Sequence, residues 1–133
     1  MASFLETLVN IFAIDPDRPM SDQRAARLMK ITQREIPEQK KAMDHWNKEI
    51  VRLNKRQARH IVEDRAPNRV LQGKVAHAYE NRNLSQDRLM GYERGLDKLN
   101  QHFARKGAEN GMVWVKAYKR ADGTVVKGFY RNM

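Results

Sequence analysis

Four histidines, His45, His60, His77 and His102, are the imidazoles this 133-residue sequence offers for metal binding or proton transfer. No two stand three or four positions apart, so the paired-histidine helix face of a zinc hydrolase is missing. Two His-x-x-Glu pairs, His60/Glu63 and His77/Glu80, each share a helical face. A di-metal bundle instead uses the order Glu-x-x-His with further inward carboxylates, so both pairs read as surface ion pairs or polar edges. A serine nucleophile would have to be Ser3, Ser21 or Ser85, and the last two are better spent capping helices. The carboxylates Asp15/Asp17 and Glu63-Asp64 fall at element ends, without an apolar pocket to raise a pKa. There is no glycine-rich phosphate loop. The absence of cysteine removes disulfides, thiolate metal sites and thiol catalysis. These residues point away from an enzyme, and to no metal, no cofactor and no small-molecule substrate.

The chemistry the chain does carry is charge. Lys and Arg number 26 against 16 acids, a formal net charge of +10. The distribution is uneven: residues 1–22 carry −3, residues 23–50 +3 and residues 63–110 +2. Residues 51–62 hold Arg52, Lys55, Arg56 and Arg59 with no acid, for +4. Residues 111–133 hold Lys116, Lys119, Arg120, Lys127 and Arg131 against Asp122, again +4. A polyanion is the natural partner of such segments, through phosphate contacts and counterion release. A solvated helix face with a flexible tail, or contact with an acidic protein surface, is the alternative. These nine cations are the nucleic-acid candidates.

The elements that must carry these side chains follow from periodicity. In residues 2–14, Phe4, Leu5, Leu8, Val9 and Phe12 fall on one broad helical face, and two prolines in Asp15–Pro19 then stop the helix. That arm either folds back on the core or docks on a neighbouring subunit. Ser21 is a good N-cap, and Ala25, Leu28, Met29 and Thr32 continue at helical spacing. Pro37 predicts a kink, or a new helix starting near 36. From there two heptad lines run, Ile36, Met43, Ile50, Gln57 and Gln39, Trp46, Leu53, His60, with Ile61 and Val62 taking over the apolar role at the end. Met43 and Trp46 on those lines read as core. Ala66-Pro67-Asn68 ends the helix. Residues 68–82 read as helical through Leu71, Val75, Ala78 and Tyr79, with a break at 81–83 and Ser85 capping a last helix over 86–106. Leu89, Tyr92, Leu96, Leu99 and Phe103 form its stripe, suited to face residues 43–61. Gly91 and Gly95 permit close helix approach, and Gly107 with Asn110-Gly111 ends the helical region.

Residues 112–131 differ in texture, being rich in β-branched and aromatic residues around Ala121-Asp122-Gly123, a turn with glycine at its left-handed position. Pairing Arg120 with Thr124 sets Tyr118 opposite Val126 and Trp114 opposite Tyr130. One face then shows Trp114, Lys116, Tyr118, Val126 and Tyr130. The other shows Val115, Ala117, Lys119, Val125, Lys127 and Phe129. An isolated two-stranded ribbon is marginal in water, so this one gains order by joining another sheet, packing on the helices or lying on nucleic acid. Trp114, Tyr118, Phe129 and Tyr130, interleaved with cations, suit a protein interface or a stacking surface for single strands.

The run from Trp114, Val115, Lys116, Ala117 and Tyr118 through Arg120, Asp122, Gly123 and Thr124 to Val125, Val126, Lys127, Gly128, Tyr130 and Arg131 resembles a short module at the ends of tailed-bacteriophage head and connector proteins. The resemblance covers about twenty residues. It implies a virion structural protein of the head, the portal or connector, or the packaged interior, and it implies no activity.

The expectation is a mainly α protein: a helical hairpin or three-helix bundle over 20–110, an N-terminal amphipathic helix arm and linker over 1–19, and a C-terminal β-hairpin over 111–133. Its function would be that of a non-enzymatic structural subunit of a macromolecular assembly, a tailed-phage virion. The arms would dock through Phe4, Leu5, Leu8, Phe12, Trp114, Tyr118, Phe129 and Tyr130 on other virion proteins and further copies of itself, with possible contact to DNA. The alternative is a free nucleic-acid-binding protein. No apolar run reaches the roughly 20 residues of a membrane span, and the N-terminus has no basic leader. The chain is therefore expected in the virion after synthesis in the host cytoplasm, or otherwise in the cytoplasm.

Overall fold

The computed structural model describes residues 20–64 and 66–132. The arm expected from Phe4, Leu5, Leu8 and Phe12 lies outside the described residues. Two long helices, α1 (Asp22–Asp64) and α2 (Arg69–Glu109), pack as a hairpin, and four short strands follow. The three-helix alternative is not what forms.

Ser21 caps α1 as its type predicts: its Oγ accepts the Arg24 N–H at 3.1 Å, and its carbonyl accepts that of Ala25 at 3.0 Å. The helix then continues through Pro37 without a fresh start there. Proline removes one helical donor, but Pro37 sits on the exposed side, while Thr32 and Gln39 on either side of it are buried. The buried stripe outweighs the local penalty. Every residue of the two heptad lines from Ile36 to His60 is buried or half-buried. Ile61 and Val62 do not extend them: they are 44% and 79% exposed.

Asn68 opens α2, its Oδ1 accepting the N–H groups of Val70 and Leu71 at 2.9 and 3.2 Å. The break expected at 81–83 is absent, and Ser85 is buried inside the helix instead of capping one. Asparagine is only a modestly poor helix former. Here Asn81 donates back to the His77 carbonyl at 2.8 Å, and Arg82 lies 5.1 Å from the Tyr79 ring centroid. A continuous α2 also changes which residues meet. Leu71 and Ala78, with Val75, all α2 residues ahead of the 89–103 stripe, pack with Ile50, Leu53 and Trp46.

The described residues divide into two compact units. One comprises residues 33–92, with the cluster just named. The other comprises residues 20–32 and 93–132, where Ala25, Leu28, Met29, Leu99 and Phe103 are buried. Gly91 and Gly95 are both buried, as close helix approach requires.

After α2, Gly111 takes a left-handed φ of 70° and turns the chain into the ribbon. Strands β1 (Met112–Val115) and β4 (Phe129–Asn132) pair antiparallel, as do β2 (Tyr118–Lys119) and β3 (Val125–Val126). Trp114 stands opposite Tyr130 and Tyr118 opposite Val126, the register expected from the turn. Gly123, at φ 93°, donates to the Arg120 carbonyl at 2.9 Å, and Asp122 Oδ1 accepts the Thr124 N–H at 2.9 Å.

Candidate functional site

The ribbon is fastened to α2 by three rings and two hydrogen bonds. The Trp114 indole stacks on Phe103 with centroids 4.6 Å apart and meets Tyr130 at 4.9 Å. Its Nε1–H donates to the buried Asn100 Oδ1 at 2.9 Å, and the Tyr130 hydroxyl donates to the Phe103 carbonyl at 2.9 Å. Two glycines make room. A Cβ on Gly128 would stand 2.3 Å from a Trp114 ring carbon, and one on Gly107 would stand 2.8 Å from the Tyr130 ring. Gly107 therefore lies within α2 because Tyr130 needs the space, not because the helix ends there. The ribbon gains its order by packing on the helix.

Trp114 and Tyr130 thus spend their rings inside the chain, while Tyr118 and Phe129 remain 47% and 43% exposed. The outward face joins Phe129 to Val113 and Val125, the latter 67% exposed. Around them Lys116, Lys119, Arg120, Lys127 and Arg131 are exposed, and none is ion-paired to another described residue. Asn100, Gly107 and Gly128 escape a reading by composition. A glycine between two short strands, two residues before an aromatic that pairs across to another, was the available signal.

Beside the ribbon's base, Lys106 Nζ reaches Asp22 Oδ1 at 2.6 Å, next to a cavity of about 270 Å³ that Tyr130 and Phe103 also line. His102 lies nearby with its side chain 7% exposed, its Nε2 making no hydrogen bond and standing 4.0 Å from Asp22. Burial holds this imidazole below its ordinary pKa, Lys106 adds to the shift and Asp22 opposes it. The folded chain therefore binds fewer protons than the unfolded one, whose histidine titrates near 6.5. The stability contributed by a neutral His102 is present above about pH 6.5 and declines as pH falls through that value. The melting temperature should drop between about pH 7.5 and 5.5, and His102→Gln should flatten that slope. Equal slopes for both chains would remove His102 as the cause.

His60 and His77 do not use their i+3 glutamates. His60 Nδ1 meets Asp64 at 2.7 Å, His77 Nε2 meets Asn81 at 3.1 Å, and His45 contacts Trp46 at 4.9 Å. Among the described residues no three His, Asp or Glu side chains gather as metal ligands. None of their helices is long and apolar enough to cross a membrane.

On α1, Arg52, Lys55, Arg56 and Arg59 stand at i, i+3, i+4 and i+7, so helical geometry puts all four on one exposed stripe. Arg52 holds Glu49 with two hydrogen bonds, 2.8 and 3.2 Å, which keeps that carboxyl below its usual range and the guanidinium above its own. Lys55, Arg56 and Arg59 have no ion-pair partner among the described residues. Arg52 also rims a groove of about 500 Å³ between α1 and α2 within the 33–92 unit.

The architecture is thus a helical hairpin carrying an aromatic-anchored β-ribbon. No family model, curated protein or solved structure matches the chain.

Proposed function

We propose that this chain is a non-enzymatic structural subunit of a macromolecular assembly, docking through the outward face of its ribbon. The observation that carries the reading is the division of the ribbon's aromatics. Trp114 and Tyr130 fix the ribbon to α2, while Phe129, Val113 and Val125 stay uncovered on the other side. A rigid apolar face with unpaired strand edges is what a neighbouring subunit can cover, by sheet extension or by face packing. The ribbon's resemblance to the ends of phage head and connector proteins makes a tailed-phage virion the assembly we favour, with further copies of this chain among its neighbours.

Sedimentation velocity of the full chain without nucleic acid tests this. Concentration-dependent oligomers are expected for the native sequence. The double substitution Val125→Ser and Phe129→Ser should return the chain to monomer with its helical circular dichroism unchanged. A native chain that stays monomeric throughout, or a double variant that assembles equally well, would sink the reading.

A further inference from the structure

The groove between α1 and α2 in the 33–92 unit has a feature that packing does not explain. Gly73 sits in the interior of α2, where glycine costs about 1 kcal/mol relative to alanine. Yet a Cβ built there would meet nothing within 4 Å. No neighbour needs the missing side chain, and what its absence preserves is open space. Trp46, Leu53 and Ala78 supply apolar lining, while Arg52, Lys74 and His77 bring nitrogen donors to the same groove. The indole is held by T-shaped contacts to His77 at 5.8 Å and His45 at 4.9 Å, and the Arg52 guanidinium is held by Glu49.

Beyond the groove the cations continue. Arg56 and Arg59 follow Arg52 on the α1 stripe, and Arg69 lies one turn before Gly73 on α2. All three are exposed and none is ion-paired to another described residue. A half-buried indole beside an open slot suits a flat ring, and a row of unpaired guanidinium groups suits regularly spaced anions. An acidic peptide satisfies the second feature but not the first. A duplex offers phosphates but keeps its bases stacked. A single strand joins ring and phosphate in one repeating unit.

We propose that this groove takes up one unpaired nucleotide of a single-stranded nucleic acid, its base against Trp46 over Gly73 and its phosphates on Arg52, Lys74 and the Arg56–Arg59 stripe. This goes beyond the assembly reading and uses none of the ribbon's residues, so either can fail without the other. DNA and RNA share the chemistry.

The test uses the full chain, fluorescently labelled dT15 and U15, and a 15-base-pair duplex, read by anisotropy at low and moderate salt. Single strands should bind more tightly than duplex, quench tryptophan emission, and weaken as salt rises. Gly73→Leu fills the slot with a better helix former and should weaken single-strand binding roughly tenfold and abolish the quenching. The surface pair Arg56→Gln and Arg59→Gln should weaken it several-fold while leaving the quench at saturation intact. A preference for dT15 or for U15 supports the proposal and names the strand. Equal binding of duplex, no quenching, or native affinity in Gly73→Leu would overturn it. Displacement of dT15 by polyglutamate at equal charge concentration would overturn it in favour of an acidic protein partner.

Discussion

Trp114→Ala is expected to release the ribbon from α2 and to cost about 3 kcal/mol, the lower end of the range for losing a large aromatic because the indole is only partly buried. Three losses coincide. The stack on Phe103 and the contact with Tyr130 go, each aromatic pair being worth about 0.5–1.5 kcal/mol beyond its buried area. The Asn100 carbonyl oxygen keeps its buried position without the indole donor, at about 1–3 kcal/mol. Left with Tyr130 alone, a two-stranded ribbon is too small to hold itself together. Hydrogen exchange should show the amides of 112–132 losing protection while those of α1 keep theirs. Gly128→Ala attacks the same joint from the other side, since its methyl would occupy the space of the indole ring. The two substitutions should therefore be far from additive, the second adding little once the first has opened the joint. Unchanged protection of the ribbon in Trp114→Ala would mean that something other than these rings fastens it.

The second large effect is expected at Leu99, whose side chain is fully buried in the unit that also carries the ribbon. Leu99→Ala should lower stability by about 3 kcal/mol, within the 2–5 kcal/mol spread of such truncations, because a narrow helical core has few ways to collapse into the space. Val62→Ala is the matched control. Val62 is 79% exposed near the end of α1, and its truncation should fall within about 0.5 kcal/mol of the native chain. Urea unfolding followed by circular dichroism compares the two directly. Comparable losses would mean that the hairpin end of α1 is covered in solution and that the core extends further than its burial shows.

That contrast also shows what a single sequence can convey about this fold. Ala25, Leu28, Met29, Thr32 and the eight heptad positions from Ile36 to His60 are legible because burial in a helix repeats at its own period. The ribbon's register is legible because one turn sets every pair beyond it. A new start at Pro37 and a break at Asn81–Asn83 mislead because local propensity is worth about a kcal/mol or a few, and tertiary burial on both sides outweighs it. Ile61 and Val62 mislead for the opposite reason: their hydrophobicity is real, but both side chains stay exposed at the end of α1. Once the false break at 81–83 is drawn, α2 is cut in two. At the candidate sites, charge is legible and geometry is not. Arg52, Lys55, Arg56 and Arg59 announce themselves, whereas Asn100, Gly107, Gly73 and Gly128 matter only for what stands beside them.

The aromatic joint also bears on ancestry. Most of this chain can drift freely, since a helical stripe accepts any apolar residue of similar size and the wet faces accept almost anything polar. The joint cannot. Its partners stand as Asn100, Phe103, Gly107, Trp114, Gly128 and Tyr130, and each glycine is pressed by a ring that must also be kept. A descendant whose helices had lost every trace of common origin would still spell this pattern: asparagine and phenylalanine on one helical face, a glycine one turn on, a tryptophan seven residues later, then glycine-any-tyrosine closing the ribbon. Kinship for this protein would be written in six letters at fixed intervals, mostly in the smallest and the largest side chains it has.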